Sequence, residues 1–176
     1  MYKQDLQNTL LGIDEEANLE LGPREEGPSV VLVGGSAFIL NDVTNRSVTH
    51  DIDVFEADRC LRGIIARYPE VNGMAVAYCN QMLFNYEDRL IPLEIGAHFI
   101  RYFTPSLEDL AVMKLYAYRP NDIVDLHSRA FTERLDWDLL ERLIFDEGEA
   151  LASSPSERSY QEMVCAYGQY IKEVRG

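Results

Sequence analysis

The hydrophobic pattern at the start of the chain predicts a helix, a loop and a buried strand. Between residues 3 and 18 apolar side chains recur at three- and four-residue steps, which predicts an amphipathic helix. Residues 22–29 hold two prolines and two glycines and predict a loop. The next run, residues 30–33, is short, β-branched and apolar on both faces, so it predicts a buried strand. A short helix is expected at residues 36–40.

A second strand, with carboxylates on one face, is predicted at residues 51–55. Side chains alternate along a strand, so the apolar residues 52 and 54 point to one face while Asp51 and Asp53 point to the other. The polar, turn-rich residues 41–49 lead into this strand. Helical spacing is then expected over residues 56–68, followed by strands at residues 74–79 and 90–95.

The second half of the chain predicts helices. Ser106 followed by Asp109 resembles a capping box, and Asp136 is placed to cap a later helix. We therefore predict an α/β (α+β) fold with a small mixed β-sheet flanked by helices over residues 1–104. A C-terminal helical layer, residues 105–176, is expected to pack on it as one compact unit. The predicted helices of this layer are residues 107–118, 121–131, 137–146 and 157–174.

Composition narrows the classes of function. The chain has 176 residues, enough for one domain with a core, and its net charge is −14. This charge argues against broad capture of nucleic acid, which would need a local patch such as Arg59, Arg62 and Arg67. The three cysteines show no metal or disulfide spacing, and no segment has the length of a membrane span. We expect a cytoplasmic protein with no membrane partner.

Gly34, Gly35 and Ser36 directly follow the first predicted strand. Two glycines let main-chain N–H groups approach phosphate, and a serine that opens a helix offers an N–H and a hydroxyl at the positive end of the helix dipole. The alternative is a tight turn that requires positive φ and nothing more. The turn is not a P-loop, because no Gly-Lys-Ser/Thr ends it, and the third glycine of a dinucleotide fingerprint is absent.

Asp51 and Asp53 are spaced to hold a divalent metal. Side chains two residues apart on a strand share a face, roughly 7 Å apart at Cα, and can share Mg²⁺ or Mn²⁺. A solvated edge strand explains such a pair equally well when it stands alone. Coupled to the glycine turn on the preceding strand, the pair favours a metal-dependent nucleotidyl-transfer site.

In this order the motifs resemble the nucleotidyltransferase superfamily with the DNA polymerase β-like fold. Its signature is a glycine pair, a spacer and D-x-D on the next strand, and residues 49–54 are similar to the form found in bacterial toxin-type members, including the AbiEii class. Lys114, Arg119, Asp122 and Asp125 resemble those families' second motif. The resemblance covers residues 30–127.

The resemblance implies roles for these positions. The two aspartates would bind the metal and act in catalysis, and the glycine–serine turn would cradle the triphosphate. Lys114 would contact phosphate, and a surface lysine that extends to solvent is the alternative. Arg119 would be a second phosphate clamp or a partner of Asp122, and a plain helix-start role for Asp122 is equally open. A third metal-binding carboxylate is also implied. Glu94 is the best position for it, and a polar residue on a half-exposed strand is the alternative.

The predicted function is metal-dependent transfer of NMP from an NTP such as ATP to an acceptor hydroxyl on tRNA, a protein or a small molecule. The toxin-type resemblance implies the toxin of a toxin–antitoxin or phage-defence system, with a cognate antitoxin as partner. One alternative is a catalytically degenerate module that binds nucleotide and acts through a protein partner. A purely structural α/β domain is a third possibility.

Overall fold

The computed structural model describes residues 1–73, 81–146 and 148–176. It confirms the predicted mixed α/β fold with a mixed sheet. The chain divides into two compact units. Taking the described residues of each range, the first unit holds Met1–Asp42, Arg46–Val76 and Leu90–Thr104. The second holds Val43–Asn45, Ala77–Arg89 and Pro105–Gly176.

The first unit is built on a mixed sheet in which β1 is central. The described strands lie in the order β3-β2-β1-β5-β4, and β1 is antiparallel to β2 and parallel to β5. These strands are β1 (Ser29–Val33), β2 (Ile52–Ala57), β3 (Val71–Asn72), β4 (Ile91–Pro92) and β5 (Arg101–Thr104). The buried strand predicted at residues 30–33 is therefore confirmed.

The core of the first unit joins this sheet to helix α1 (Lys3–Leu21). Leu6, Leu10 and Ile13 of α1 are buried in one cluster with Ile52 of β2, as the helical spacing predicted. Burying one such side chain stabilises the fold by about 1.5–3 kcal/mol. The opposite faces predicted for residue 52 and Asp53 also hold, because Ile52 lies in this cluster whereas the Asp53 carboxylate lies against Gly34.

Two predicted elements of the first unit differ from the structure. The helix expected from residue 56 is wrong at its start, because β2 continues to pair with β1 through Ala57. Only the short helices Arg59–Leu61 (3-10) and α3 (Arg62–Ile65) follow. The strand expected at residues 90–95 is shortened to β4, because the Ile95 N–H turns back to the Leu93 carbonyl, 3.1 Å. The strand predicted at residues 74–79 lies outside the described residues.

The second unit is helical in its described part. Its first long helix is α4 (Leu107–Ala117), and the Ser106 hydroxyl accepts the Asp109 N–H at its start, as predicted. The Asp136 carboxylate accepts the Leu139 N–H at the start of α7 (Trp137–Glu141), which also confirms a predicted cap. The last helices are α8 (Glu149–Ser153) and α9 (Glu157–Arg175).

Two predicted helices of the second unit change form along their length. The one expected at residues 121–131 is divided into α5 (Pro120–Leu126) and α6 (Arg129–Thr132). The division falls at Ser128, whose N–H bonds three residues back to the Asp125 carbonyl while its own carbonyl starts α6. The helix expected at residues 137–146 is α7 followed by a π-helical turn, Arg142–Asp146.

Candidate active site

The turn after β1 begins helix α2 (Gly34–Leu40) directly. Gly34 has φ +66°, a conformation that residues with side chains rarely adopt, so the positive φ considered for this turn is present. Ser36 is fully buried, and its hydroxyl donates to the Val33 carbonyl, 2.9 Å. The Ser36 hydroxyl thus closes the turn on itself, and its contact with phosphate stays a prediction.

Asp53 approaches this turn so closely that only glycine fits opposite it. The register pairs Val33 with Asp53, and a Cβ added to Gly34 would lie 2.2 Å from Asp53 Oδ2. Asp53 is buried, and its Oδ1 accepts a hydrogen bond from Asn72 Nδ2, 3.1 Å. The glycine–carboxylate pair predicted from two separate motifs is thus brought together in space.

Arg46 lies against the second glycine. A Cβ on Gly35 would be 2.5 Å from an Arg46 terminal nitrogen and 2.9 Å from Thr49 Oγ1. A cation therefore lies one residue along the turn from the glycine that Asp53 contacts. The sequence reasoning missed Arg46 and Asn72. A basic residue in the polar segment between the glycine turn and D-x-D was the available signal for Arg46, whereas nothing local marks Asn72.

Asp51 and Glu94 lie at different positions in the sheet relative to Asp53. Asp51 is the residue before β2 and is half-buried. Glu94 follows β4 and is exposed. The register of β4 on β5 and of β5 on β1 places it near the row of Ser29, whereas Asp53 pairs with Val33.

This register keeps Glu94 away from the glycine turn. The rows of Ser29 and Val33 are four residue steps apart on β1, roughly 13 Å along the strand. The structure therefore does not bring Glu94 to Asp53. Its role as third carboxylate stays a prediction that this register does not favour, because Pro92 lies in the row of Val31 and the chain after it runs towards the row of Ser29, away from the turn.

A buried cluster of charges in the second unit contains the other predicted residues. Lys114 Nζ lies 2.6 Å from Asp122 Oδ1 and 2.9 Å from Asp125 Oδ2. All three side chains are buried, and the Thr44 hydroxyl donates to Asp125, 2.7 Å. Asp122 and Asp125 thus share a helix face, as their spacing predicted.

Arg119 was considered as a phosphate clamp or as a partner of Asp122, and in the structure it is bound to Asp122. Its Nε donates to Asp122 Oδ2, 2.8 Å, and its main-chain N–H donates to the same oxygen, 3.1 Å, at the start of α5. Burial opposes ionisation of Asp122, but the hydrogen bond from Arg119 and the charge of Lys114 outweigh it. The pKa of Asp122 therefore lies below its ordinary value of 3.8. Lys114 and Asp122 thus form a buried ion pair to which the largely exposed Arg119 also binds, and their contact with nucleotide stays a prediction.

A family model matches residues 8–175 of the chain, and its description is "Nucleotidyltransferase of unknown function (DUF6036)". The chain belongs to this nucleotidyltransferase family. The match spans both the glycine turn with D-x-D and the Lys114 motif, so the superfamily resemblance is confirmed, and the AbiEii likeness stays a prediction. No curated protein and no solved structure matches the chain.

The nucleotidyltransferase turn offers ligands suited to a hard cation. Asp53 presents a buried carboxylate at Gly34, and Asp51 is two residues before it. Carboxylate oxygens are what Mg²⁺ and Mn²⁺ prefer, usually one or two from protein with the rest from water and substrate phosphates. Within residues 1–73, 81–146 and 148–176 there is no group of three or more His, Cys, Asp or Glu side chains that could hold a metal. Two protein carboxylates fit the donor set.

In the part of the chain that the structure describes, no helix is both long enough and apolar enough to cross a membrane.

Proposed function

We propose that this family member is a metal-dependent nucleotidyltransferase that moves NMP from an NTP to an acceptor hydroxyl. The observation that carries the proposal is the meeting of Asp53 with Gly34 and of Arg46 with Gly35 at one turn. In the reaction the acceptor oxygen forms a bond to the α-phosphorus, the bond from that phosphorus to the bridging oxygen breaks, and pyrophosphate leaves.

Each group at the turn has a part in this proposal. Asp51 and Asp53 would hold Mg²⁺ or Mn²⁺, which when bound polarises phosphoryl oxygens and neutralises their charge. The Arg46 guanidinium would pair with phosphate oxygens in the bidentate manner that its planar fork permits. The glycines let Asp53 and Arg46 lie directly against the main chain of the turn, because a side chain at either position would collide with them. Catalysis then rests on positioning and charge neutralisation.

Calorimetry of NTP binding tests the proposal. Wild-type protein is titrated with ATP, GTP, CTP and UTP with and without Mg²⁺, beside Asp51→Asn/Asp53→Asn, Arg46→Ala, Arg46→Lys and Glu94→Gln. We expect binding of at least one NTP that requires Mg²⁺ and is lost in the double variant. Arg46→Ala should weaken it about tenfold or more, with partial recovery in the lysine variant.

Glu94→Gln is the matched control among the carboxylates. It changes an exposed acidic side chain in the same unit, and the register separates it from the turn, so its affinity should equal that of the wild type. Folded wild-type protein that binds no NTP would overturn the proposal. Loss of binding in Glu94→Gln equal to that in Asp51→Asn/Asp53→Asn would restore Glu94 as a ligand.

The acceptor and the biological role belong to the same proposal. The candidates are tRNA, a protein side chain and a small molecule, and a toxin role with a cognate antitoxin extends from the toxin-type resemblance. Expression of the wild type should then arrest bacterial growth, whereas Asp51→Asn/Asp53→Asn should not. Equal growth with both proteins would remove the toxin role and leave nucleotidyl transfer untouched.

A second candidate is a degenerate member that binds nucleotide and acts through a protein partner. The position of Glu94 favours it, because the described residues supply two carboxylates at the turn where the superfamily usually has three. Pyrophosphate release separates the two functions. Release that depends on Mg²⁺ and Asp53 supports transfer, and metal-dependent binding without release against any acceptor supports the regulatory module.

A further inference from the structure

A polar cavity of about 490 Å³ lies in the first unit, where β1 and β5 begin and β2 ends. The loop before β1 supplies one part of its wall, and the turn after β2 supplies another. The charged side chains and the cysteine that line it are Arg24, Glu26, Asp58, Arg59, Cys60 and Arg101.

This cavity is separate from the glycine turn. It includes the Ser29 and Arg101 pair, whereas the Val33 and Asp53 pair marks the other end of β1. The two ends are roughly 13 Å apart along the strand. A ligand of the cavity would therefore not contact Asp53 or Gly34.

The cavity has more positive than negative charge on a strongly acidic chain. Arg24 and Arg59 form no ion pair with any residue that the structure describes. Arg101 pairs with Glu26, 2.6 Å, and Asp58 Oδ2 accepts the Ser29 N–H, 2.6 Å. The lining carboxylates are thus engaged by the protein, while two guanidinium groups keep their donors for a ligand.

The main chain around the cavity is held in place. A Cβ on Gly27 would lie 2.0 Å from the Phe99 carbonyl oxygen, so the loop packs directly on that backbone. The Arg101 N–H donates to the Pro28 carbonyl, 2.8 Å, and Arg101 Nε donates to Gly27, 3.0 Å. A ligand would find the main-chain part of this open site already formed, whereas the exposed Arg24 and Arg59 side chains would become ordered on binding.

Arg59, Arg62 and Arg67, the example of a local patch that nucleic-acid binding would need, have different surroundings. Arg67 pairs with Glu16, 2.8 Å, and with Glu20, 2.6 Å, so its charge is compensated. Arg59 instead lies at the cavity with Arg24 and Arg101. Arg59 therefore lies with two other arginines in one concave site, whereas Arg62 is exposed outside it.

We propose that this cavity binds a small molecule carrying a phosphomonoester, of about the size of a nucleoside monophosphate. Arg24 and Arg59, which pair with no residue that the structure describes, can both donate to the oxygens of a phosphomonoester, and its roughly two negative charges at neutral pH would offset the net charge of +1 of the lining. The volume lies within the range of about 300–1,000 Å³ typical of small-ligand sites. A long nucleic acid is disfavoured because the chain as a whole carries −14. This site is independent of the proposed NTP site.

Calorimetry with AMP, adenosine and inorganic phosphate tests the proposal. We expect saturable binding of AMP, weaker binding of phosphate and no binding of adenosine. Arg24→Ala/Arg59→Ala should weaken AMP binding tenfold or more. Arg62→Ala, which removes an exposed arginine outside the cavity, should not change it. Arg24 and Arg59 are exposed, so both variants should unfold at the wild-type midpoint.

Chemical modification of two native cysteines tests where AMP binds. Cys60 lines the cavity and is half-buried, whereas Cys165 is exposed on α9. AMP should slow iodoacetamide modification of Cys60 and leave Cys165 unchanged, as measured by mass spectrometry of peptides. Binding must also persist in Asp51→Asn/Asp53→Asn, which separates this site from the NTP site.

Three results would overturn the inference. These are absence of saturable AMP binding to the wild type, equal affinity in Arg24→Ala/Arg59→Ala, or loss of AMP binding in Asp51→Asn/Asp53→Asn. The last result would assign AMP to the glycine turn and support the nucleotidyltransferase proposal while removing this one.

Discussion

Asp53 and Arg46, two side chains of opposite charge, lie against consecutive glycines of one turn. The glycines are needed at this place for two different reasons. Gly34 has a positive φ and the Asp53 carboxylate against it, whereas Gly35 has only the contacts with Arg46 and Thr49. A glycine pair that reads as one motif thus accommodates two separate contacts.

Gly34→Ala should destabilise the protein and abolish NTP binding. The new Cβ would be strained at φ +66° and would displace Asp53, so we expect a loss of about 2 kcal/mol or more in the free energy of unfolding. Urea unfolding followed by circular dichroism measures this. Gly63→Ala is the control, because nothing lies within 4 Å of its Cβ, and it should be neutral or stabilising by up to about 1 kcal/mol. Equal effects of the two variants would contradict the close approach.

Lys114→Met should destabilise the second unit. It leaves Asp122 and Asp125 buried without their ammonium partner, which costs about 3–5 kcal/mol. Lys172→Met, at an exposed position of α9, should stay within about 0.5 kcal/mol of the wild type. Unchanged stability with lost NTP binding would favour the phosphate contact that the resemblance implied for Lys114.

Because of Asp122, the free energy of unfolding should depend on pH in the acid range. Its folded-state pKa is below 3.8, so its ionised form stabilises the fold above that pH, and the contribution is lost as pH falls through the folded pKa. The difference in unfolding free energy between wild type and Asp122→Asn should therefore be constant near neutrality and shrink below about pH 4. Asp138→Asn, an exposed change in the same unit, provides the reference. A difference that grows on acidification would refute the assignment.

Among the elements, the buried strand and long helices follow from local pattern, and the short elements do not. Residues 30–33 and the periodic segment of α1 contain enough apolar positions to define their own type. Residues 56 and 57 have helical spacing, yet they extend β2 because β1 offers pairing partners for them. Strand content at such places depends on a neighbour distant in sequence, which a local window does not contain.

Asp14→Ala should loosen the connection between α1 and the segment before β5. The buried Asp14 carboxylate accepts the N–H groups of His98, Phe99 and Ile100, at 3.0, 2.9 and 2.6 Å. Leaving buried donors without acceptors costs about 1–3 kcal/mol each, so a total loss near 3 kcal/mol or more is expected in urea unfolding. Glu15→Ala changes the adjacent exposed carboxylate and should be nearly silent. Equal free energies of unfolding in the two variants would show that these hydrogen bonds do not contribute to stability.

At the scale of the whole molecule, net charge restricts the choice of partner. A chain of charge −14 repels a phosphate backbone at long range, so any nucleic-acid acceptor must be recognised locally. We expect that the protein does not retard a short DNA duplex of random sequence in gel electrophoresis, at low or at physiological salt. Retention with a steep salt dependence would contradict this expectation and would indicate a basic surface of substantial size.

The sequence by itself determined the class of fold, the glycine turn followed by D-x-D, and the family to which they belong. These features are local, because periodicity and short spacings are written within a few neighbouring residues. Only the tertiary structure decided that Arg46 lies on Gly35, that the Lys114 cluster is buried, and that Glu94 stands at the other end of the sheet. Those outcomes depend on strand register and on contacts between residues far apart in the chain, where a shift of one residue exchanges the faces of a strand.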